Sequence, residues 1–167
     1  MRYEDNLIYY TQEVCLNGHQ LWTDSDQNKD PNPVQYCEDC GKKIICTCQE
    51  CNSPIDGQIL YEENMSPIED DPSVPNFCRH CGMPYPWTVS IVKNTIELLN
   101  LDNSLSNTQI ESVEKSIPDL LVDTPRTKVA AVKFKQILSG TGSIVKDGLR
   151  ELLVDVVSET AKKMLFP

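Results

Sequence analysis

Residues 36–52 read YCEDCGKKIICTCQECN and contain two Cys-x-x-Cys elements, the second beginning eight positions after the first ends. A third element, CRHC, occupies residues 78–81. The residue after each element is Gly41, Asn52 or Gly82, and Gly and Asn take a left-handed backbone conformation at low cost. Metal knuckles commonly need that conformation there, because it lets nearby N–H groups point at the sulfur atoms. The three copies therefore predict metal knuckles.

A further pair of soft donors lies upstream in CLNGH, residues 15–19, so the chain carries four pairs of candidate ligands. Four thiolate or imidazole donors satisfy a tetrahedral Zn²⁺ without a water ligand. The sequence therefore predicts two Zn²⁺ in closed, structural sites that supply much of the folding free energy around them. Serial pairing assigns the ligands as Cys15, His19, Cys37 and Cys40 in the first site, and Cys48, Cys51, Cys78 and Cys81 in the second. Spacing leaves crossed pairing open, as in interleaved zinc modules.

Two more potential donors, Cys46 and His80, lie close to the predicted ligands. Cys46 is two residues from Cys48 and could replace it, but we expect Cys46 to be a structural or exposed thiol. A reactive Cys46 would need a cation to lower its pKa, and Lys42 and Lys43 are close to it in sequence. His80 is expected to point outward.

All eight cysteines precede residue 82 in this chain of 167 residues, of which 40% are hydrophobic. This distribution predicts a small α+β fold with a β-rich double zinc-ribbon or zinc-knuckle module at 1–87 and an α-helical interaction domain at 88–167. The N-terminus lacks a basic region followed by an apolar one, and no apolar run approaches the ~20 residues of a membrane span. We therefore expect a cytoplasmic protein, in which cysteine pairs at this spacing are more often ligands than disulfides.

Charge is unevenly distributed between the two predicted domains. Residues 1–87 carry five Lys or Arg against fifteen Asp or Glu, whereas residues 88–167 carry ten against ten, so the net charge of −10 belongs to the first domain. Seven thiolates and two Zn²⁺ would take that charge from −10 to −13. Nucleic-acid binding needs a cationic surface, so the acidic zinc domain disfavours a nucleic-acid partner.

Short elements are predicted around the zinc sites. Residues 6–14 are rich in β-branched and aromatic residues and predict a strand, and residues 58–61 predict another after a turn at 53–57. Residues 23–35 are polar, contain two prolines and predict a loop. The acidic stretch 62–76 is interpreted either as a solvated loop or as a docking segment for a basic partner.

Three large side chains are expected near the metals. Leu21 and Trp22 follow the first ligand pair and are expected to pack beside the first site. Trp87 follows the last pair and is expected to cover a knuckle and close the small core.

From Thr88 onward the apolar residues recur at helical spacing and predict a bundle of about four helices. Thr88 is the predicted N-cap of the first helix. Ser106 and Gln109 fit a capping box for the second helix, which Pro118 should end or kink.

The third and fourth predicted helices complete the bundle. Thr124 precedes a proline and is the predicted N-cap of the third helix, which the sequence GTG at 140–142 should break. The fourth helix is predicted at 143–165, with Gly148 marking close packing against a neighbour. The residues predicted to face inward along the four helices are Val89, Val92, Ile96, Leu99, Ile110, Val113, Ile117, Val129, Val132, Ile137, Leu138, Ile144, Val145, Leu149, Leu152, Leu153, Val156, Val157, Ala161 and Met164.

A Lys-rich stretch lies within the predicted third and fourth helices. No acidic residue occurs between Asp123 and Asp147, whereas five cations do: Arg126, Lys128, Lys133, Lys135 and Lys146. This face is interpreted as ordinary solvated surface or as a surface packed on the acidic domain. The alternative is a contact with an anionic partner such as nucleic acid or a membrane surface.

Motifs for catalysis are missing from the sequence. It contains no His-Glu-x-x-His, no Gly-x-Ser-x-Gly and no Gly-Lys-Ser/Thr after a glycine-rich loop. We therefore predict no catalytic residues and no cofactor besides the two structural Zn²⁺.

The segments VCLNGH, YCEDCGKKI, CQECNSPIDG and FCRHCGMPYPW, in this order, resemble a bacterial family of uncharacterised zinc-ribbon proteins, domain of unknown function twenty-three twenty-one. The segments TPRTKVAAVKFKQIL and LVDVVSETAKKML resemble the C-terminal helices of that family, so the likeness covers nearly the whole chain. The resemblance implies a paired zinc-ribbon head with the same eight metal positions, and Cys46 departs from it. It implies no activity.

Together these observations predict a non-enzymatic protein-interaction or scaffold module. A protein partner or a second copy would bind through the C-terminal helices, with the apolar face of the last helix and the acidic domain as candidate surfaces. The alternatives are nucleic-acid binding through the zinc ribbons or the Lys-rich helix at 126–146, and a toxin-like effector.

Overall fold

The computed structural model describes residues 6–25 and 33–167. The chain divides into two compact units, Met1–Thr88, here called the sheet unit, and Val89–Pro167, here called the helical unit. The sheet unit contains an antiparallel sheet and all eight cysteines, and the helical unit consists of helices and their connections. The small α+β class predicted from the sequence is therefore confirmed.

Strand β1, Leu7–Cys15, is the centre of a four-stranded sheet and pairs antiparallel with each of the other strands. Its β-branched and aromatic residues suit an extended backbone, and the predicted strand at 6–14 is confirmed with a shift of one residue. The other strands are β2 (Gln20–Ser25), β3 (Ile44–Ile45) and β4 (Asp56–Tyr61). Because β1 ends at Cys15, the sheet fixes the position of the first predicted ligand.

Two segments predicted as irregular are partly strand. Strand β2 includes residues 23–25 of the predicted loop, and β4 includes residues 56–57 of the predicted turn. Exposed and half-buried residues alternate along β2, as in a strand with one face toward solvent, and polar residues lie on both faces, which a loop prediction from polarity overlooks. Residues 26–32 of the predicted loop lie outside the described residues, and residues 33–35 have no regular structure.

Gly57 lies where the backbones of three strands converge. A Cβ at this position would lie 2.7 Å from the Thr11 carbonyl carbon and closer still to the Thr23 carbonyl oxygen. Both neighbours are backbone atoms that cannot rotate away, so β1, β2 and β4 approach each other this closely only with glycine at position 57.

Six helices, rather than about four, occur in the described part of the chain. Helix α1, Pro86–Asn100, starts within the sheet unit and continues into the helical unit. The remaining helices are α2 (Asn107–Glu114), α3 (Pro118–Leu121), α4 (Thr127–Gly140), α5 (Ser143–Leu153) and α6 (Glu159–Leu165). Their core consists of buried apolar residues from α1 to α6: Leu99, Ile110, Val113, Ile117, Leu120, Leu121, Ala130, Ala131, Phe134, Leu138, Leu149, Leu153, Val157, Ala161 and Leu165.

The helix boundaries confirm some predicted caps and correct others. Ser106 and Gln109 form the predicted capping box, and α4 ends at Gly140 as predicted. Thr88 does not cap α1, because the helix already begins at Pro86 and the Thr88 hydroxyl donates to the Asn76 carbonyl oxygen (2.7 Å). Proline at a first helical position sacrifices no hydrogen bond, so the helix starts three residues earlier than predicted.

The predicted third and fourth helices also begin or end differently. The Thr124 hydroxyl accepts a hydrogen bond from the Arg126 N–H (3.1 Å) within a turn, and α4 itself starts at Thr127. The predicted helix at 143–165 is two helices, because Ser158 interrupts it: its hydroxyl caps α6 and its N–H donates to the Leu120 carbonyl (2.8 Å). The apolar pattern crosses this break because Val157 stays in the core.

Four residues predicted to face inward are exposed: Val89 (51%), Val129 (52%), Val132 (47%) and Ile144 (87%). In α4 the buried face is formed by small residues together with Phe134 and Leu138. The prediction places Val129 and Val132 inward because they are more hydrophobic than Ala130 and Ala131, which are the residues that are buried. A Cβ at Gly148 would make an ordinary 3.6 Å contact with Leu98, so the predicted close packing does not require glycine there.

Candidate metal centres

Each Cys-x-x-Cys element forms the same turn. The Cys37 N–H donates to the Lys42 carbonyl (2.9 Å), and the Cys37 carbonyl accepts from the Gly41 N–H (2.8 Å). The equivalent bonds recur at 48–53 and 78–83 with lengths between 2.8 and 3.0 Å. The residues after the second cysteines have the predicted left-handed backbone, with φ of 68° at Gly41, 59° at Asn52 and 74° at Gly82.

The first tetrad joins the end of β1, the residue before β2 and the first knuckle. The Cys15 and Cys40 Sγ atoms are 3.7 Å apart, and the Cys37 Sγ atom is 3.6 Å from His19 Nδ1. All four donor atoms lie within 4.8 Å of one another. Cys15 and Cys37 are buried and His19 is exposed, so one side of this tetrad faces solvent.

The second tetrad is formed by the second and third knuckles. Two distances of 3.7 Å join Sγ of Cys48 to Sγ of Cys81 and Sγ of Cys51 to Sγ of Cys78. The four sulfur atoms lie within 4.8 Å of one another, with Cys48 and Cys78 buried and Cys51 and Cys81 exposed. Both tetrads therefore follow the serial grouping of the sequence, and neither is crossed.

These separations fit four donors that share one ion. With Zn–S bonds of about 2.3 Å and Zn–N bonds of about 2.0–2.1 Å, a regular tetrahedron has S···S edges of about 3.8 Å and S···N edges of about 3.6 Å. A disulfide would need sulfur atoms about 2.05 Å apart, so the 3.7 Å pairs are not disulfides. Each tetrad could therefore hold a metal ion, and its donor set and spacing are consistent with zinc.

The turns also favour the thiolate form of some donors. Hydrogen bonding from the Cys81 backbone N–H is the main cause that lowers the pKa of Cys78 to about 6. The Lys42 backbone N–H is the main cause that lowers the pKa of Cys40. Burial raises the pKa of Cys15, which lies deepest in the first tetrad. Because thiolates are the metal ligands, these N–H groups favour the metal-binding form of Cys40 and Cys78.

Neither additional candidate donor joins a tetrad. Cys46 is half-buried, and its carbonyl accepts a hydrogen bond from the Ile55 N–H (2.8 Å). The second tetrad contains Cys48 and not Cys46. His80 is exposed, as predicted.

Trp87 covers the second tetrad, as predicted. It is only 4% exposed and packs in one cluster with Cys48 and Cys78. Its ring stacks on that of Tyr85 with centroids 4.8 Å apart, and its indole N–H donates to the Pro75 carbonyl (2.8 Å). Burial raises the pKa of Tyr85 in this layer.

The two residues predicted beside the first tetrad behave differently. Leu21 packs against the cluster that contains Cys15 and Cys37, as predicted. Trp22 is 57% exposed and is not part of that buried cluster. The two residues alternate on β2, which turns Leu21 toward the core and Trp22 toward solvent.

A fourth knuckle-like turn was missed in the sequence because it has no cysteine. The Tyr61 N–H donates to the Ser66 carbonyl (3.0 Å), the Tyr61 carbonyl accepts from the Met65 N–H (2.8 Å), and Met65 has φ of 55°. Residues 61–69, YEENMSPIE, share Ser-Pro-Ile with residues 48–56, CQECNSPID, at matching positions. The shared tripeptide is the signal that could have revealed this internal repeat, in which Tyr61 and Asn64 replace the two cysteines.

The fold and the tetrads together define a small α+β protein with paired Cys/His metal-knuckle sites and a helical C-terminal unit. The chain belongs to the bacterial family described as "uncharacterized protein conserved in bacteria" (DUF2321), whose model matches residues 8–165. Comparisons with curated proteins and with solved structures found no match.

Among the described residues, no helix combines the length and apolar character that crossing a bilayer requires.

Proposed function

We propose that this chain is a non-enzymatic zinc protein that acts as a protein-interaction or scaffold module. The observation that carries the proposal is the geometry of the tetrads, each of which places four protein donors within 4.8 Å of one another, with two separations of 3.6 or 3.7 Å that match the edges of a tetrahedral zinc site. In this proposal the eight residues of the tetrads are the ligands of two Zn²⁺. The protein would then work in a reducing compartment such as the cytoplasm, where the thiols stay reduced.

A structural role follows from the number of donors. A catalytic zinc site keeps one coordination position for water or substrate, whereas four protein donors close the tetrahedron. Each tetrad supplies four donors, which supports a role in folding rather than in chemistry. The zinc ions would then hold the surfaces of the sheet unit in place for binding.

The helical unit offers a different interaction surface from the one that the sequence suggested. Most of the apolar face of the predicted last helix is buried within the unit itself, as Leu149, Leu153 and Ala161 show, and only its first residue, Ile144, is largely exposed. Helix α4 instead exposes Val129 and Val132 beside Lys128 and Lys133. We assign the contact of the C-terminal helices with a protein partner or a second copy to this face of α4.

Native mass spectrometry of the purified full chain tests the metal and the assembly together. Two zinc ions per chain are expected, with a dimer or a defined complex that persists in high salt. A photo-crosslinker at Val132 should capture a specific partner or a second copy, whereas one at exposed Glu151 on α5 serves as the matched control. Fewer than two ions, or a monomer with equal crosslinking at both positions, would contradict the proposal.

Nucleic-acid binding is a second candidate because Lys128, Lys133 and Lys135 are exposed on α4. Arg126 contributes less, since its guanidinium pairs with Asp119 (3.2 Å). This function predicts a gel shift at low salt that weakens steeply as salt rises. A full chain that shifts neither DNA nor RNA at low salt would exclude it.

A further inference from the structure

A groove of about 370 Å³ lies beside the first tetrad, between β2 and the first knuckle. Three large hydrophobic side chains that are more than half exposed converge on it: Trp22 (57%), Val34 (56%) and Tyr36 (61%). Isolated exposed apolar residues are ordinary, but a cluster of them around a concave surface marks a binding site.

Two carboxylates complete the lining of the groove. Glu38 and Asp39 are the residues between Cys37 and Cys40, so the knuckle that holds the metal also fixes their backbone. Both are exposed, and neither forms an ion pair within the described part of the chain. The neighbouring Lys42 and Lys43 do not line the groove.

Aromatic faces and carboxylates favour the same kind of ligand. The face of an aromatic ring carries negative electrostatic potential and attracts Arg or Lys side chains. The carboxylates of Glu38 and Asp39 attract the same cations, and the surrounding residues 1–87 contain fifteen acids against five bases. A nucleic acid could stack on Trp22 and Tyr36, but these carboxylates would repel its phosphates.

We propose that this groove binds a basic peptide segment of a partner protein, with an Arg or Lys side chain over Trp22 and Tyr36 and an apolar neighbour against Val34. The inference rests on the proposed interaction function and names its partner chemistry on the sheet unit. The first zinc site orients the binding surface, because the knuckle of Cys37 and Cys40 carries the groove's acids.

The test uses the full, zinc-loaded chain and three capped pentapeptides. Leu-Arg-Leu-Lys-Leu has both cationic and apolar side chains, Leu-Gln-Leu-Gln-Leu removes the charge, and Gly-Arg-Gly-Lys-Gly removes the apolar groups. Two-dimensional NMR should show shifts of the Trp22 indole N–H with the first peptide, at a Kd below about 1 mM. The other two peptides should bind at least about tenfold more weakly, because each lacks one of the two contributions.

Matched variants distinguish the groove from the rest of the acidic surface. Trp22→Ala should weaken binding about tenfold or more, and the double substitution Glu38→Gln with Asp39→Asn should weaken it several-fold and reduce its salt dependence. Tyr9→Ala removes another exposed aromatic residue, and Glu50→Gln removes the acid at the equivalent position of the second knuckle. Both of these controls should bind within about twofold of the unchanged chain.

The outcomes separate this inference from the function on which it rests. Three results would each contradict the proposal that the groove binds a basic peptide. They are equal binding of the charged and neutral peptides, no shift of the Trp22 indole signal at millimolar peptide, and tighter binding of a dT oligonucleotide. If a specific crosslink from Val132 accompanied any of those results, the proposed interaction function would still be supported, through the exposed face of α4 and not through the groove.

Discussion

The sheet unit and the helical unit are stabilised in different ways. Among the described residues, the buried clusters of the sheet unit contain ten residues, and four of these are cysteines of the tetrads. The cluster of the helical unit contains fifteen buried residues and no cysteine. In the sheet unit, the residues that would bind metal are therefore also a large part of the core.

This difference shows that two units of one short chain can be stabilised by different means, one by metal–ligand bonds together with a small core and the other by an apolar core. A unit of this size buries a limited fraction of its surface, and metal–ligand bonds can replace part of the missing burial. The helical unit has Phe134, Leu149 and Leu153 completely buried and needs no such bonds. We therefore expect the two units to respond differently to metal removal and to core substitutions.

Removing the metal should have the largest effect. Binding of structural zinc to zinc-finger peptides is worth about 10–16 kcal/mol, so a strong chelator should unfold the sheet unit. The helical unit should keep its helices, because its core contains no metal ligand. Two-dimensional NMR before and after chelation measures this difference between the units. The dispersed amide signals of β1 to β4 should be lost, whereas those of the helical unit should remain.

A sheet unit that keeps its dispersed signals without metal would contradict this division. Readdition of one and two equivalents of Zn²⁺ provides the control, since full recovery should require both tetrads to be filled.

Substitution of a single cysteine should have the next largest effect. Cys78→Ser removes a buried donor of the second tetrad, so the zinc count should fall from two to one and the sheet unit should lose most of its stability. Cys46→Ser is the matched control in the same unit, because Cys46 belongs to neither tetrad. Native mass spectrometry and thermal unfolding measure both effects.

Equal zinc loss in the two variants would mean that Cys46 takes part in binding. Retention of two tightly bound ions in the Cys78→Ser protein would contradict the assignment of the second tetrad.

The positions of the three Cys-x-x-Cys turns could be predicted because they depend on local turn chemistry. The glycine or asparagine after each Cys-x-x-Cys element predicts a residue with a left-handed backbone at that position, and Gly41, Asn52 and Gly82 adopt this conformation. The turn at 61–66 shows the limit of this approach. It has the same hydrogen bonds without either cysteine, so a search for ligands could not find it.

The helical boundaries were harder to predict because tertiary contacts decide them. The apolar pattern runs through Val157 without interruption, and the break depends on the bond from the Ser158 N–H to the Leu120 carbonyl. Similarly, the buried face of α4 relies on Ala130 and Ala131, whose hydrophobicity is small. Neither feature is visible from one segment considered alone.

A core substitution should affect only the helical unit. Phe134 is completely buried, so Phe134→Ala should destabilise this unit by about 3–5 kcal/mol through lost burial and a residual cavity. The zinc count should not change. Val132→Ala on the exposed face of the same helix is the control and should cost less than about 1 kcal/mol. Chemical denaturation followed by helical circular dichroism measures the difference, and similar losses in the two variants would contradict the assigned faces of α4.

The smallest expected effect concerns acid sensitivity within the helical unit. The Asp102 carboxylate accepts hydrogen bonds from the Ser104 hydroxyl (2.6 Å) and the Gly142 N–H (2.7 Å), and bonding to Ser104 is the main cause that lowers the pKa of Asp102. A carboxyl whose pKa is lower in the folded state contributes stability above its unfolded pKa of 3.8, and this contribution is lost as pH falls through the folded value. Asp102→Asn should therefore reduce stability at neutral pH and flatten the acid-induced loss of stability below about pH 4.

Amide exchange at the start of α5 measures the effect of Asp102→Asn locally, so zinc release in acid does not obscure it. Asp147→Asn on α5 is the matched control, because it removes an exposed carboxylate from the same unit. Identical acid profiles for Asp102→Asn and the unchanged chain would mean that this link between the α1–α2 connection and α5 contributes nothing to folding.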